Sequence, residues 1–180
     1  MSMNDLAELL LPHLDSAYNL ARWLMRNSVD AEDVVQEAYL RAFQYGAGFR
    51  GSDARAWLLT IVRNTSYKWL RKARTYEPIT EFDEDVHTTG LESSNPEQLL
   101  LQNADAHFVE EVLRALPLRF REILVLRELE GLSYKEIASV MVLPIGTVMS
   151  TLSRARGRFR HAAGCLLKTD ASVEQTASAR

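Results

Sequence analysis

The side chains best suited to chemistry are basic and lie near the C-terminus, in the stretch SYKEIASVMVLPIGTVMSTLSRARGRFR. Arginine and lysine hold phosphates, and an arginine that reaches a guanine edge can also distinguish one base from another. The stretch has the layout of a helix-turn-helix, because a short helix is followed by a turn at Leu143 and Pro144 and then by a longer helix. It therefore predicts a DNA-binding element. A helical hairpin with a basic solvated face would have the same layout, so the pattern alone leaves both interpretations open.

The second helix of such a pair enters the major groove, with outward side chains near base edges and basic side chains near phosphates. The residues that we expect at base edges are Thr147, Met149, Ser150, Thr151 and Arg154. The residues that we expect at phosphates are Lys135, Arg156, Arg158 and Arg160. Sequence preference would then depend on the first set and overall affinity on the second.

The charge of the chain is divided into blocks, although the net charge of the 180 residues is only -3. Residues 46–76 hold seven Lys or Arg and one Asp, and residues 131–168 hold six Lys or Arg and one Glu. Residues 77–104, between them, hold seven Asp or Glu and no Lys or Arg. Two basic blocks predict two surfaces for polyanions such as nucleic acid, although two solvated helix faces would also explain them.

The first basic block combines charge with an amide side chain. Its candidate DNA contacts are Arg63, Asn64, Lys68, Arg71 and Lys72. Melted DNA requires backbone charge together with flat or amide groups for exposed bases, so Asn64 is a candidate base contact. Trp57 and Trp69 lie nearby, but they share the apolar stripe of the predicted helix, so we expect them to pack in the core.

An acidic and amide-bearing surface is predicted on the helix that precedes this block. It consists of Asp30, Glu32, Asp33, Gln36 and Glu37. Such a surface suits a basic helical partner, whereas an ordinary solvated helix face is the alternative interpretation. We expect the side chains of Asp33 and Glu37 to be exposed.

The sequence carries none of the common catalytic motifs. It contains no Walker motif, no HExxH, no nucleophile elbow and no cluster of His, Cys and Asp, which argues against an enzyme and predicts no cofactor. Cys165 is the single cysteine, and His161 lies four residues before it. Two candidate ligands fall short of the usual four, so we interpret Cys165 as a small, partly buried thiol and predict no metal site. No apolar run is long enough for a membrane span, so we expect a cytoplasmic protein without direct membrane insertion.

Apolar residues recur at helical spacing through most of the chain, and no strand pattern occurs. We therefore predict an all-α fold of two small helical domains joined by a flexible acidic linker, with the helix-turn-helix in the C-terminal domain. The boundaries that we predict are 1–76, a linker at 77–96, a second domain at 97–165 and a disordered tail at 166–180. Asp30 and Ser133 are the predicted N-caps of their helices, Ser52 or Asp53 restarts the chain after a glycine-rich break, and Gly131 ends a helix.

Three motifs together resemble the extracytoplasmic-function (ECF) sigma factors of the sigma-70 family. DAEDVVQEAYLRAF is similar to their segment that docks on a coiled coil of the polymerase β′ subunit. FRGSDARAWLLTIVRNTSYKWLRKAR is similar to the segment that opens and reads the minus-10 element. LPLRFREILVLRELEGLSYKEIA, followed by LPIGTVMSTLSRAR, is similar to the domain that reads the minus-35 element. The motifs occur in the family's order, with a linker between them.

The resemblance implies an alternative sigma factor that directs promoter-specific transcription initiation. Its partners would be core RNA polymerase, through the β′ and β subunits, promoter DNA and an anti-sigma factor. In the family, the linker threads the polymerase toward its active centre. The chain departs from the family pattern at Val142, where many relatives carry glycine, and at Met149 and Thr151, where they carry basic side chains. Since valine disfavours positive φ, we expect the turn at Val142 to close differently.

A stand-alone helix-turn-helix regulator is the alternative function. Such a protein would bind palindromic DNA as a dimer. It would leave the two N-terminal motifs without a role.

Overall fold

The structure is a computed structural model that describes residues 3–46, 49, 53–76 and 100–177, with side chains described at 4–46, 49, 53–73 and 106–167. These residues are almost entirely helical and include no strand, which confirms the all-α fold class. The first domain contains α1 (Met3–Leu10), a 3-10 turn (Leu11–His13), α2 (Leu14–Met25), α3 (Ser28–Tyr45) and α4 (Ala54–Tyr76). The second contains α5 (Leu100–Ala115), α6 (Leu118–Leu124), a π-helical turn (Val125–Leu129), α7 (Tyr134–Met141) and α8 (Ile145–Ala177).

The N-terminal domain packs α2, α3 and α4 around aliphatic side chains spaced at helical intervals. Fully buried members of this core are Leu20, Leu24, Val34, Ala38, Leu58, Leu59 and Val62. Asn27 caps α3, since its Oδ1 accepts a hydrogen bond from Val29 N at 2.9 Å, and the prediction of Asp30 as this cap was wrong. Asp53 caps α4 as expected, with its Oδ1 accepting from Ala56 N at 2.9 Å. An amide and a carboxylate cap equally well, so local sequence does not choose between Asn27 and Asp30.

The C-terminal domain begins with α5, and α6 continues into a π-helical turn. Glu130 N donates to Val125 O at 2.9 Å, a bond that spans five residues instead of the four of an α-helix. Gly131 then ends the segment with a φ of +66°, as its position predicted. Ser133 caps α7, as predicted, and it also forms a capping box with Glu136. The hydrogen bonds from the Ser133 hydroxyl and backbone hold the pKa of Glu136 below its usual value.

The turn between α7 and α8 contains an unusual backbone conformation. Val142 lies in the left-handed region with a φ of +53°, so the expectation that valine would avoid positive φ was wrong. Its N–H bonds to carbonyls near the end of α7, and Leu143 N donates to Ala138 O at 3.0 Å, which closes the helix end tightly. The turn geometry thus overrides the side-chain preference of Val142.

Replacing Val142 with glycine should stabilise the domain. The left-handed conformation costs an L-residue about 1–2 kcal/mol, which the greater freedom of glycine in the unfolded chain offsets only in part, so we expect a gain of roughly 0.5–1 kcal/mol. Val142 is 75% exposed, so little packing is lost. Thermal or urea unfolding measures the change. Ser139→Gly, at an exposed position inside α7, is the matched control and should destabilise by about 0.5 kcal/mol, the difference in helix propensity between serine and glycine. A less stable Val142→Gly variant would contradict the strain argument.

Helix α8 is longer than the sequence pattern indicated. It continues through Ala177, so residues 166–177 are helical instead of the disordered tail that we expected, and the boundary drawn at residue 165 falls inside the helix. The segment has no glycine or proline after Gly164, and its alanine, leucine, glutamate and glutamine are strong helix formers. The predicted linker at 77–96 lies outside the described residues.

The membrane-spanning potential of the described helices is low. No single one is both long and apolar enough to cross a bilayer. The helices Tyr134–Met141 and Ile145–Leu167, which meet at a bend of 99°, have the length and composition of a membrane span only when they are counted together.

The two domains pack directly against each other. α4 of the first domain contacts α7 of the second, and α2 contacts α6. Buried apolar residues of both domains form one continuous cluster, which extends from Leu6 and Leu10 to Leu152 and Ala155. The interface also carries polar contacts, and one of them involves Arg63, which the sequence pattern had assigned to DNA.

Candidate nucleic-acid interface

The first two turns of α8 present a mixed polar and apolar surface beside the turn. Ser150 and Arg154 are exposed, and Met149 is 53% exposed, whereas Thr147 is half-buried. Arg154 Nε lies 3.4 Å from Ser150 O, which places the guanidinium along the outer face of the helix. Met149, Ser150 and Arg154 are thus accessible and Thr147 is partly so, and their contact with bases stays a prediction.

Thr151 was wrongly placed in this set. It is fully buried, because it lies on the face of α8 that carries Val148, Leu152 and Ala155 against the domain core. Its hydroxyl has no hydrogen-bond partner among the described residues. Threonine has nearly the shape of valine and can occupy an apolar position. The polarity of its side chain therefore led to the wrong assignment of Thr151 to the outer face of α8.

The basic residues expected at phosphates differ in their contacts within the chain. Arg156 pairs with Glu128, with Nη2 at 2.7 Å from Oε1, and is half-exposed. The guanidinium of Arg158 lies 5.0 Å from the centre of the Phe120 ring, and the residue is exposed. Lys135 and Arg160 are exposed. Arg158 lies one turn after Arg154 on the same face of α8, whereas Arg156 and Arg160 line a cavity with Val109 of α5. Phosphate contact stays a prediction for all of them.

The basic face of α4 is only partly accessible. Asn64, Arg71 and Lys72 are exposed, and Lys68 Nζ lies 3.7 Å from Glu37 Oε1. Arg63 differs from them, because its Nε donates to Oε1 of Glu122 in the other domain at 2.5 Å and its side chain is only 19% exposed. A predicted DNA contact is thus occupied by a carboxylate of the same chain.

The acidic surface of α3 divides into an outer row and an inner residue. Glu32, Asp33 and Gln36 are exposed, and the neighbouring Leu40 is 64% exposed. Glu37 is only partly exposed, so the expectation that it would project outward with Asp33 was wrong.

Glu37 instead joins α3 to α4. Its Oε2 accepts a hydrogen bond from Trp69 Nε1 at 2.6 Å, and its Oε1 accepts from Arg41 at 2.5 Å. The bond from Trp69, followed by those from Arg41 and the nearby charge of Lys68, holds the pKa of Glu37 below its usual value. Trp69 is thus packed on the core, as predicted, and also positions the carboxylate.

Asp30 and Lys72 line one cavity between α3 and α4. Its volume is ≈ 340 Å³, and Met25, Trp69 and Ala73 complete the lining. Two residues assigned to different partners by sequence therefore lie at the same place. Asp30 is half-buried there, which separates it from the exposed row of α3.

Four charged residues at the domain interface were missed by sequence reasoning. Arg55 Nη2 donates to Glu130 Oε2 at 2.6 Å and to Glu130 O at 2.7 Å. Glu122 accepts from Arg63 and from Tyr67, whose hydroxyl lies 2.8 Å from Oε2. Arg121 is 2% exposed, and its Nε and Nη1 have no hydrogen-bond partner among the described residues. The only sequence signal was the presence of charges at positions where helical spacing predicts burial.

Metal binding finds no support in the part of the chain that the structure describes. It contains no group of three or more His, Cys, Asp or Glu side chains that could hold an ion. Cys165 is exposed, contrary to the expectation of partial burial, with its Sγ 3.8 Å from His161 Nε2.

Both helical blocks match known families. Residues 9–76 match Sigma-70 region 2, and residues 109–159 match Sigma-70, region 4. The ECF RNA polymerase sigma-E factor of Escherichia coli K12 is 40% identical over 136 residues, which are 72% of this chain and 71% of that protein. The ECF RNA polymerase sigma factor SigE of Mycolicibacterium smegmatis is 33% identical over 153 residues, 85% of this chain and 59% of that protein.

Solved structures have the same fold. The sigma factor RpoE in complex with the anti-sigma factor NepR from Bartonella quintana has a TM-score of 0.69 and 28% identity, over 88% of this chain and 96% of that chain. CnrH, in complex with the cytosolic domain of CnrY, has a TM-score of 0.62 and 23% identity, over 94% and 91% of the two chains. Since two sigma-70 regions lie in order on one chain that is 40% identical to a sigma-E factor over 136 residues, this protein belongs to the ECF sigma factors of the sigma-70 family.

Proposed function

We propose that this chain is an alternative sigma factor that binds core RNA polymerase and directs promoter-specific transcription initiation from the cytoplasm. Residues 1–76 bind core enzyme and act at the minus-10 element, residues 97–165 read the minus-35 element, and residues 77–96 connect them. The supporting observation is the helix-turn-helix, whose second helix exposes Met149, Ser150 and Arg154, with the exposed Arg158 one turn further along the same face. The protein has no catalytic role in this proposal and requires no cofactor.

The minus-35 contacts that we propose differ in what they recognise. Arg154 can pair with a guanine edge, Ser150 can accept or donate a hydrogen bond, and Met149 can pack on a thymine methyl group. Lys135, Arg156 and Arg158 would hold phosphates. With Thr151 buried and an apolar side chain at Met149, recognition rests mainly on Arg154.

The polymerase surface that we propose is the exposed row Glu32, Asp33 and Gln36 on α3, which would meet the β′ subunit. The exposed side chain of Leu40 adds apolar surface beside this row. Interfaces between proteins combine apolar and polar surface in the same way. An anti-sigma factor is a further proposed partner. It is supported by the related RpoE, which was solved with the anti-sigma factor NepR.

Reconstituted transcription tests this function. Core polymerase, a promoter library and the purified chain should yield transcripts that start downstream of two shared sequence elements. Reactions without the chain should yield none from those templates. Specific binding to palindromic DNA as a dimer, with no effect on core polymerase, would contradict the proposal and support a stand-alone regulator.

A further inference from the structure

Four arginines from three helices lie close together where α2 meets α5 and α6. Arg22 belongs to the last turn of α2 and Arg26 ends that helix, whereas Arg114 belongs to α5 and Arg121 to α6. We call these four side chains the arginine cluster. Glu110 pairs with two of its members, since the Nη2 atoms of Arg22 and Arg114 lie 3.0 and 2.7 Å from the same carboxylate oxygen, Oε1.

The cluster is open to solvent on one side. The side chains of Arg22 and Arg114 are 47% and 40% exposed, and Arg26 is half-buried beside them. Arg26 Nη2 donates to Arg114 O at 2.8 Å, which holds its guanidinium at the end of α5. The charge of Arg114, after the larger effect of burial, lowers the pKa of Arg26. The guanidinium groups of α2 and α5 therefore lie near enough to repel each other.

Arg121 is the buried member of the cluster. It is 2% exposed, and its Nε and Nη1 atoms have no hydrogen-bond partner within the part of the chain that the structure describes. Burial, followed by the nearby positive charges of Arg26 and Arg114, lowers the pKa of Arg121 to about 10. A guanidinium removed from water beside like charges is costly, and buried polar groups of this kind are normally paired or bound to an ion.

The donors of the cluster fit a phosphate group. Guanidinium groups bind phosphate through paired hydrogen bonds, and a tetrahedral phosphate presents its oxygens in several directions, so donors from different helices can share it. We propose that the arginine cluster binds a small phosphate-bearing anion, which Arg26 and Arg114 contact from the half-exposed side and the buried charge of Arg121 stabilises. All four arginines lie outside the surfaces proposed above for DNA and polymerase, so the inference goes beyond the proposed function.

Calorimetric titration of the full chain with sodium phosphate, at an ionic strength held constant with sodium chloride, measures this site directly. We expect saturable binding of one phosphate per chain. Arg26→Gly and Arg121→Met should each weaken it by roughly tenfold, the effect of losing one hydrogen bond to a charged group. Arg119→Met is the matched control, because it removes the same charge from an exposed position of α6 and should leave the affinity unchanged.

Both test variants are compatible with the fold. Arg26 has a φ of +61°, which glycine adopts without strain, so Arg26→Gly removes the guanidinium and relieves the backbone. Methionine at position 121 retains an unbranched stem and removes a charge that is costly to bury. Circular dichroism checks folding, and Arg26→Gly alone decides the question if Arg121→Met does not fold.

Thermal unfolding gives a second measurement, because an anion that binds the folded chain raises its unfolding midpoint. The midpoint of the wild-type chain and of Arg119→Met should rise with phosphate concentration at constant ionic strength. The midpoint of Arg26→Gly should rise much less over the same range.

The source of the phosphate group is distinguished by titrating tripolyphosphate and ATP beside inorganic phosphate. Equal affinity for tripolyphosphate and ATP would support a site that recognises phosphates alone. Tighter binding of ATP, weakened by the same two variants, would support a site that also contacts the nucleoside.

Three results would overturn the inference. The first is the absence of saturable binding by all three anions, and the second is binding that Arg26→Gly leaves as tight as the control does. The third is binding of random-sequence duplex DNA that Arg26→Gly weakens while no small anion binds, since the occupant would then be nucleic acid. The proposed function is tested separately, by transcription with core polymerase, and a chain that binds phosphate but never directs transcription would contradict only that function.

Discussion

Reversing the charge of Glu32 and Asp33 to lysine should weaken the binding of core polymerase by roughly 2 kcal/mol, or about thirtyfold, with little effect on folding. Both side chains are exposed on the outer face of α3, and neither contributes to the core. A partner with basic helices would then meet like charges instead of opposite ones, which costs more than simple loss of a contact. Fluorescence anisotropy of the labelled chain against core enzyme measures the effect.

Glu37→Gln is the informative comparison for this experiment. It removes a charge of the same helix but retains an acceptor for Trp69, and it lies on the inner side of α3. We expect a modest loss of thermal stability, because the ion pairs with Arg41 and Lys68 disappear, and little change in polymerase affinity. If Glu37→Gln weakened binding as strongly as the double reversal, the assignment of the exposed row would be wrong.

Replacing Arg154 with alanine should change which promoters are used. An arginine paired with a guanine edge contributes about 1–3 kcal/mol of discrimination, whereas a phosphate contact weakens binding to all sequences alike. We therefore expect Arg154→Ala to lower transcription from the cognate promoter and to relax preference at one or two base pairs of the minus-35 element. Selection from randomised minus-35 sequences, followed by sequencing, measures this.

Arg158→Ala is the control for the same helix. Its guanidinium stacks over Phe120 and is proposed to hold a phosphate. This variant should bind every sequence more weakly and show a flatter dependence on salt, with an unchanged base preference. An unaltered preference in Arg154→Ala would instead make Arg154 a phosphate contact and transfer specificity to Ser150 and Met149.

Local patterns predicted most of the helices because their signals lie within a few residues of each other. The cap at Ser133, the stop at Gly131 and the restart at Asp53 all depend on side chains that bond to neighbouring backbone. The same patterns failed where two residues could serve equally well as the N-cap of a helix, as Asn27 and Asp30 could for α3. They also failed at Val142, where closure of the turn outweighs the preference of one residue.

The candidate site was predicted less completely, for a physical reason. Periodicity identified the exposed Ser150 and Arg154 but could not show that the threonine hydroxyl at Thr151 faces the core. The pairing of Arg63 with Glu122 joins residues 59 positions apart, and nothing in either segment specifies the other. The π-helical turn at Val125–Leu129, which comes just before Glu130, leaves no signature in composition or spacing.

The single apolar cluster that extends through both domains also bears on how the chain unfolds. Domains joined only by a tether lose their structure independently, each with its own midpoint, whereas domains that share buried surface stabilise one another. Leu58 and Leu59 belong to the same cluster as Ile137 and Leu152, although Leu59 and Ile137 are 78 positions apart in the chain. The two sigma regions should therefore melt as one cooperative unit. A substitution that creates a cavity in the core of either region would then lower the free energy of unfolding of both regions.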